Sequence, residues 1–288
     1  MMLEGWARED GPVEKKMPVE SDVPEFLVKC GLEEGASEKV KAVGDLALIA
    51  FYFLLRIGEY TSKGTRNESK RTVQFRVKDV TFFKKDKNGK LRQLPRNAAD
   101  KDILSADAVT LKLDNQKNGW KGVCISHHSN GEGMFDPVRA VGRRYVHIKQ
   151  HSKDDKTWLS AVYVDGVRDD VKDSDIRAGL KLAAGALDYP AAKGIPVEKV
   201  DTHSLRIGGA NALSLSGYSK KEIQKMGRWR GETFLEYIRE SLCSFSEGMS
   251  EKMKKQFGFV SLEGGVYNDV TETILDSEYN LNPSAACA

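Results

Sequence analysis

Apolar residues recur at helical spacing from position 37 onward. Val40, Val43, Leu46, Ala47, Ala50, Phe51 and Leu54 mark one face of a helix that Ser37 can cap, and the pattern delivers Arg56 and Glu59 at its end, beside the core. From 71 to 85 the period shortens to two. Val73, Phe75 and Val77, then Val80 and Phe82, predict strand, and Asp86-Lys-Asn-Gly89-Lys punctuates it as a turn. A second hairpin is predicted where Ala108-Val-Thr-Leu-Lys-Leu and Gly122-Val-Cys-Ile-Ser flank Asn115-Gln-Lys117-Asn118-Gly119, because an Asn-Gly pair between alternating apolar runs favours a tight turn. Lys117 then sits at its tip. Asp136-Pro137 opens a helix with Val138, Val141, Tyr145 and Ile148 on one face, and helices are also predicted over 175–187, 204–216, 219–227 and 231–243. Strands come early and helices late, so the expected class is α+β, mainly helical with a small antiparallel sheet.

The ends read differently from the middle. Residues 1–36 are acidic, carry Pro12, Pro18 and Pro24, and predict a weakly structured lead-in. Residues 37–260 are expected to form the main domain and 261–288 an acidic C-terminal tail. The 288-residue chain has a formal charge of only +3, yet residues 36–240 hold 38 basic against 26 acidic side chains. Acidic ends mask a basic centre, which is the electrostatic footprint of a nucleic-acid-binding domain. The four cysteines, at 30, 124, 243 and 287, form no Cys-x-x-Cys pair, and no apolar secretory segment opens the chain. The longest apolar run, 46–55, is too short to span a bilayer. The expectation is a protein of a reducing compartment, not secreted and without a membrane partner.

Cleaving a DNA phosphodiester without a metal requires three things. Charge on the non-bridging oxygens must be neutralised, a nucleophile positioned, and the leaving oxygen protonated. Arg56 and Arg206 suit the first task, since a guanidinium gives bidentate bonds to phosphate and stays charged. Lys117 on a hairpin tip could serve as general acid. Tyr237 would be the nucleophile, and His203, one helical turn before Arg206, could take its proton or bond the phosphate. The indole N–H of Trp229 could donate to a phosphate oxygen, and Arg228 beside it could serve instead. A metal site is the rival reading of His147-Ile-Lys-Gln-His151, with His127 and His128 upstream, but two imidazoles at helical spacing do not close a tetrahedral shell, so no metal is expected.

His203-Ser-Leu-Arg206-Ile-Gly-Gly, then Gly227-Arg228-Trp229, then Phe234-Leu-Glu-Tyr237, resembles the carboxy-terminal signature of the tyrosine recombinase (phage integrase) family. Leu54-Leu-Arg56-Ile-Gly-Glu59-Tyr is similar to that family's first-arginine box, and Asn115-Gln-Lys117-Asn-Gly to its hairpin lysine. The Arg-Ile-Gly-Glu-Tyr and Gly-Arg-Trp forms look closest to recombinases of Crypton and DIRS-like mobile elements. The resemblance implies the family's catalytic-domain fold with a Lys-bearing hairpin. It implies a catalytic set of Arg56, Lys117, His203, Arg206, Trp229 and Tyr237, supported by Glu59 and Arg228. It further implies DNA cleavage and rejoining through a 3′-phosphotyrosyl link, without cofactor or small-molecule substrate, by a homo-tetramer on double-stranded DNA, in the nucleus of a eukaryote or otherwise the cytoplasm. A type IB topoisomerase and a DNA-binding relic of a mobile element are the alternatives. The family usually carries a helical core-binding domain ahead of the catalytic one, where this sequence has an acidic lead-in that is at most its remnant: either that domain is absent or the sequence is a truncated version of a longer protein.

Overall fold

A computed structural model describes residues 16–62, 72–114 and 122–231. Ser37 accepts a hydrogen bond from the backbone N–H of Val40 and starts helix α2, Glu38–Tyr52, as its sequence predicts. Helix α1, Asp22–Leu32, lies across it. Val23, Leu27 and Val28 of α1 are buried in the main core, so the expectation of a weakly structured lead-in is corrected over residues 16–36. Pro24 does not prevent this helix, because a proline in the first turn removes only an N–H that has no helical partner. The approach of α1 to α2 is close: a Cβ at Gly44 would overlap the Leu27 backbone.

Four antiparallel strands form the sheet: β1 Val80–Lys85, β2 Leu91–Gln93, β3 Ala108–Leu113 and β4 Val123–His128, in spatial order β2-β1-β3-β4. Strand β1 begins later than its sequence pattern suggests. Phe75 and Val77 are buried as expected, but Arg76 forms only an isolated bridge to Trp158 and a 3-10 turn over Val77–Asp79 precedes the strand. Leu111 and Ile125 face each other on the buried side, and the register Leu113↔Val123 places residues 115–121 as the connection, outside the described residues. A short helix α4, Asp100–Leu104, joins β2 to β3; α3 is the single turn Ile57–Tyr60.

Asp136 caps α5, Pro137–His151, through the N–H groups of Val138 and Arg139, and Val138, Val141, Tyr145 and Ile148 are all buried. A two-stranded hairpin follows, β5 Ala161–Val164 and β6 Val167–Asp170. Its turn, Asp165-Gly166, has both φ angles positive, as an Asp-Gly hairpin turn requires. Then come α6 Asp173–Ala186, α7 Tyr189–Lys193, α8 Thr202–Leu215 and α9 Lys220–Gly227. The predicted helix over 231–243 and the tail 261–288 lie outside the described residues. The described body is α+β with a small antiparallel sheet. Among the described residues no helix is long and apolar enough to cross a membrane.

Two glycines set how close α8 comes to α2. A Cβ at Gly209 would overlap the Phe51 carbonyl oxygen and one at Gly208 the Val19 carbonyl oxygen, and both obstacles are backbone. The Gly209→Ala variant is therefore expected to lose about 1–3 kcal/mol of stability through overpacking, read as a lowered denaturant midpoint with an unchanged slope.

Candidate phosphate-binding site

Helix α2 ends at Tyr52, and the chain then turns sharply: Leu54 has φ +49°, in the left-handed region that a leucine seldom adopts. The turn directs two backbone carbonyls, those of Phe53 and Leu54, toward residues far along the chain. Arg206, on the first turns of α8, donates through Nη1 to the Leu54 oxygen and through Nη2 to the Gly227 oxygen at the end of α9. Arg228 donates to the carbonyls of Phe53, Met226 and Leu54, at 3.1 Å each, and forms a buried ion pair with Glu59 at 2.9 Å. Both guanidinium groups are almost fully enclosed, with Arg206 1% and Arg228 2% exposed.

Arg56 reaches the same place through local geometry. It is the N-cap of α3, and the Glu59 carboxylate accepts its backbone N–H at 2.9 Å while also contacting its guanidinium at 3.4 Å. Glu59 thus joins Arg56 to Arg228. The side chain of Arg56 is 22% exposed, whereas Glu59 is wholly buried.

Trp229 packs its ring against Arg206, with the guanidinium carbon 4.2 Å from a ring centroid. A cation over an indole face is worth about 0.5–2 kcal/mol. The ring also lies on the Cα of Gly227, where any Cβ would overlap it. Arg228 makes this possible by adopting a left-handed backbone, φ +58°, which ends α9 and turns the chain so that residues 228 and 229 diverge. Arg228 goes inward to Glu59 and Trp229 covers Arg206.

His203 stands one turn before Arg206 on α8, whose N-cap Asp201 accepts from Thr202 N–H at 2.6 Å. His203 is exposed at the start of the helix, but the atoms crowded around it partly desolvate its ring and lower its pKa, and the neighbouring Arg206 and Arg56 guanidinium charges lower it further; Asp201 opposes them. Its imidazole is therefore held toward the neutral form, able to accept a proton at neutral pH.

Among the sequence candidates, Arg56, Glu59, His203, Arg206, Arg228 and Trp229 converge on this corner, while Lys117 and Tyr237 lie outside the described residues. Sequence reasoning does not reveal Leu54, whose backbone oxygen serves both arginines, because a left-handed leucine inside an apolar run leaves no local signature. The histidines weighed as metal ligands have other partners. His147 accepts from the Tyr163 N–H and faces Glu38 at 3.2 Å, His151 bonds the His147 carbonyl and stacks on Tyr163, and His127 contacts the Tyr52 carbonyl at 2.8 Å.

Chemically, the corner gathers three guanidinium groups around backbone carbonyls, with Glu59 paired to two of them among the contacts described. Such a site favours an anion.

No family model and no curated protein matches this chain. Among solved structures it is similar to the XerA recombinase, at 14% identity over 86% of this chain and 67% of that one, with a TM-score of 0.47. It is also similar to the Tn1549 transposon integrase in complex with transposon right end DNA, at 12% identity over 85% of this chain and 68% of that one, with a TM-score of 0.42. Identities this low, with TM-scores below 0.5, say nothing of chemistry.

Two measurements check the geometry. Arg228→Met leaves Glu59 buried without its closest cation and is expected to cost about 3–5 kcal/mol in urea unfolding, far more than a surface charge change. By NMR, His203 should titrate below the ordinary histidine value of about 6.5, and Arg56→Gln should move its midpoint upward. Because the folded state disfavours its protonation, the stability this group withholds grows as pH falls from about 6.5 through the depressed midpoint.

Proposed function

We propose that this protein cleaves and rejoins DNA strands through a 3′-phosphotyrosyl intermediate, as a recombinase or integrase of a mobile element of the Crypton or DIRS-like kind. The observation that carries the reading is the convergence of Arg56, His203 and Arg206 from segments about 150 residues apart, with Trp229 packed on Arg206. Support also comes from Tyr237, which follows His203, Arg206 and Trp229 in the order of the family resemblance.

In this mechanism Arg206 and Arg56 neutralise the non-bridging oxygens of the scissile phosphate. Two of the five N–H donors of Arg206 go to backbone carbonyls, which fixes the plane of its guanidinium before substrate arrives. The phenol oxygen of Tyr237 attacks phosphorus while His203, neutral at working pH, accepts its proton or bonds the phosphate. The 5′ oxygen departs with a proton from Lys117. A 5′-hydroxyl from another strand then displaces the tyrosine, so the phosphodiester count is unchanged and no nucleotide cofactor is consumed. Arg228 takes no part in contacting DNA: its role is to hold Glu59, and through it Arg56, in place. Strand exchange between two duplexes would engage four protomers.

A nicked suicide oligonucleotide tests the reading. Attack beside the nick releases a short fragment and traps the protein on DNA, giving a slow-migrating band that survives denaturation. Wild-type protein should form this adduct, Tyr237→Phe should form none, and Arg206→Ala should slow it by about 10²- to 10³-fold, the usual effect of removing one oxyanion donor. Duplex binding without any adduct would instead identify a DNA-binding relic, and relaxation of supercoiled plasmid without recombinant product a topoisomerase.

A further inference from the structure

The four-stranded sheet buries one face against the helices and turns the other to solvent. Alternation along the strands assigns the outward positions: Thr81, Phe83 and Lys85 on β1, Leu91 and Gln93 on β2, Thr110 and Lys112 on β3, and Cys124, Ser126 and His128 on β4. None of these is a carboxylate, in a chain with 42 acidic side chains. Hydroxyls run across the middle, Thr110 and Ser126 being hydrogen-bonded at 2.7 Å. Lys85, Lys112 and His128 are exposed around them.

The β1–β2 hairpin extends this face with Lys87 and Lys90, both exposed. Its one carboxylate is occupied: Asp86 accepts the N–H groups of Asn88 and Lys90 and pairs with Arg92 Nε at 2.9 Å. The acidic residues bordering the sheet are engaged too, Asp107 with the Lys85 N–H at 2.7 Å and Asp114 with Arg76. The other hairpin has the reverse sign. In the β5–β6 hairpin, Asp165, Asp169 and Asp170 outnumber Arg168. On this ribbon and sheet face Lys85, Lys87, Lys90 and Lys112 are therefore exposed while the neighbouring carboxylates are hydrogen-bonded or paired.

We infer that the outward face of this sheet, with the lysine-bearing β1–β2 hairpin, is a second contact surface for the phosphate backbone of duplex DNA. The inference rests on the proposed function, which supplies the partner; what the surface adds is grip outside the Arg56–Arg206 corner. Charge complementarity fits, since a duplex presents one negative charge per ~1.7 Å of axis. On the inner side of β4, His127 packs on Phe53 at 4.5 Å between ring centroids, one residue from Leu54, so the sheet adjoins the site. From β4 to β2 is three strand spacings, about 14 Å, which is about four base pairs.

Cys124 offers a direct readout, because it is exposed at an outward position of β4, whereas Cys30 is on α1. Full-length protein would be alkylated with iodoacetamide, with and without a saturating 30-bp duplex, and each thiol followed by peptide mass mapping. Saturation would be established beforehand by mobility shift. Cys124 labelling is expected to slow at least fivefold on DNA while Cys30 labels at an unchanged rate. The triple variant Lys85→Ala, Lys87→Ala, Lys90→Ala should lower the log–log salt slope of binding by about 2–3, near 0.9 per lost phosphate contact, and Lys181→Ala on α6 should leave it unchanged. Equal labelling of Cys124 on saturating DNA, or an unaltered salt slope in the triple variant, overturns the sheet surface while leaving the suicide-substrate result standing. Failure of the wild type to bind any duplex overturns both readings.

Discussion

Two helix C-termini meeting two buried arginines is the constraint on which the site depends. A helix ends with carbonyls that have no internal partner and with a partial negative charge. Here α2 and α9 bring such ends together, so that oxygens of Phe53, Leu54, Met226 and Gly227 all accept from Arg206 or Arg228. Burying a guanidinium alone would be very costly. The helix ends offset that cost with oriented dipoles that carry no net charge, and Glu59 supplies a carboxylate to Arg228 and Arg56. Under the proposed function a phosphate would find these guanidinium groups already oriented.

This arrangement gives each neighbouring feature a physical reason. Leu54 occupies a left-handed conformation costing of order 1 kcal/mol because only that turn aims its carbonyl at both arginines. Gly208 and Gly209 let α8 approach α2 closely enough for Arg206 to reach it, and Gly227 leaves room for the Trp229 ring. Arg228 and Trp229 are adjacent in sequence yet do different work, since the left-handed turn at 228 sends one side chain into the core and the other over Arg206.

Much of the scaffold was legible from periodicity, and the reasons differ where it was not. Helix α5 announced itself through Asp136-Pro137 and a regular apolar face, and the β3–β4 pairing through alternation. Helix α1 hid behind its prolines and acidic neighbours, although Val23, Leu27 and Gly31 are spaced as one buried helical face. The β5–β6 hairpin carried an Asp165-Gly166 turn between alternating apolar residues, a usable signal that the surrounding charge obscured. At the site, residue types and order pointed to Arg56, His203 and Arg206. Nothing in one dimension could say that Arg228 turns inward, because its direction depends on the backbone sign at a single residue and on a carboxylate 169 positions away.

The separation of duties between the two arginines of the 200s follows from solvation. A group that must bind a substrate phosphate has to exchange partners, whereas one locked to a buried carboxylate and three carbonyls would surrender all four to do so. Among the contacts described, Arg206 is held by two backbone carbonyls and an aromatic face. Its charge reaches His203, whose basicity desolvation lowers first and the Arg206 and Arg56 guanidinium groups lower further. Under the proposed function, the cation that would attract the phosphate thus also favours the neutral form of the nearby imidazole, together with desolvation and Arg56, and two helix ends determine its position.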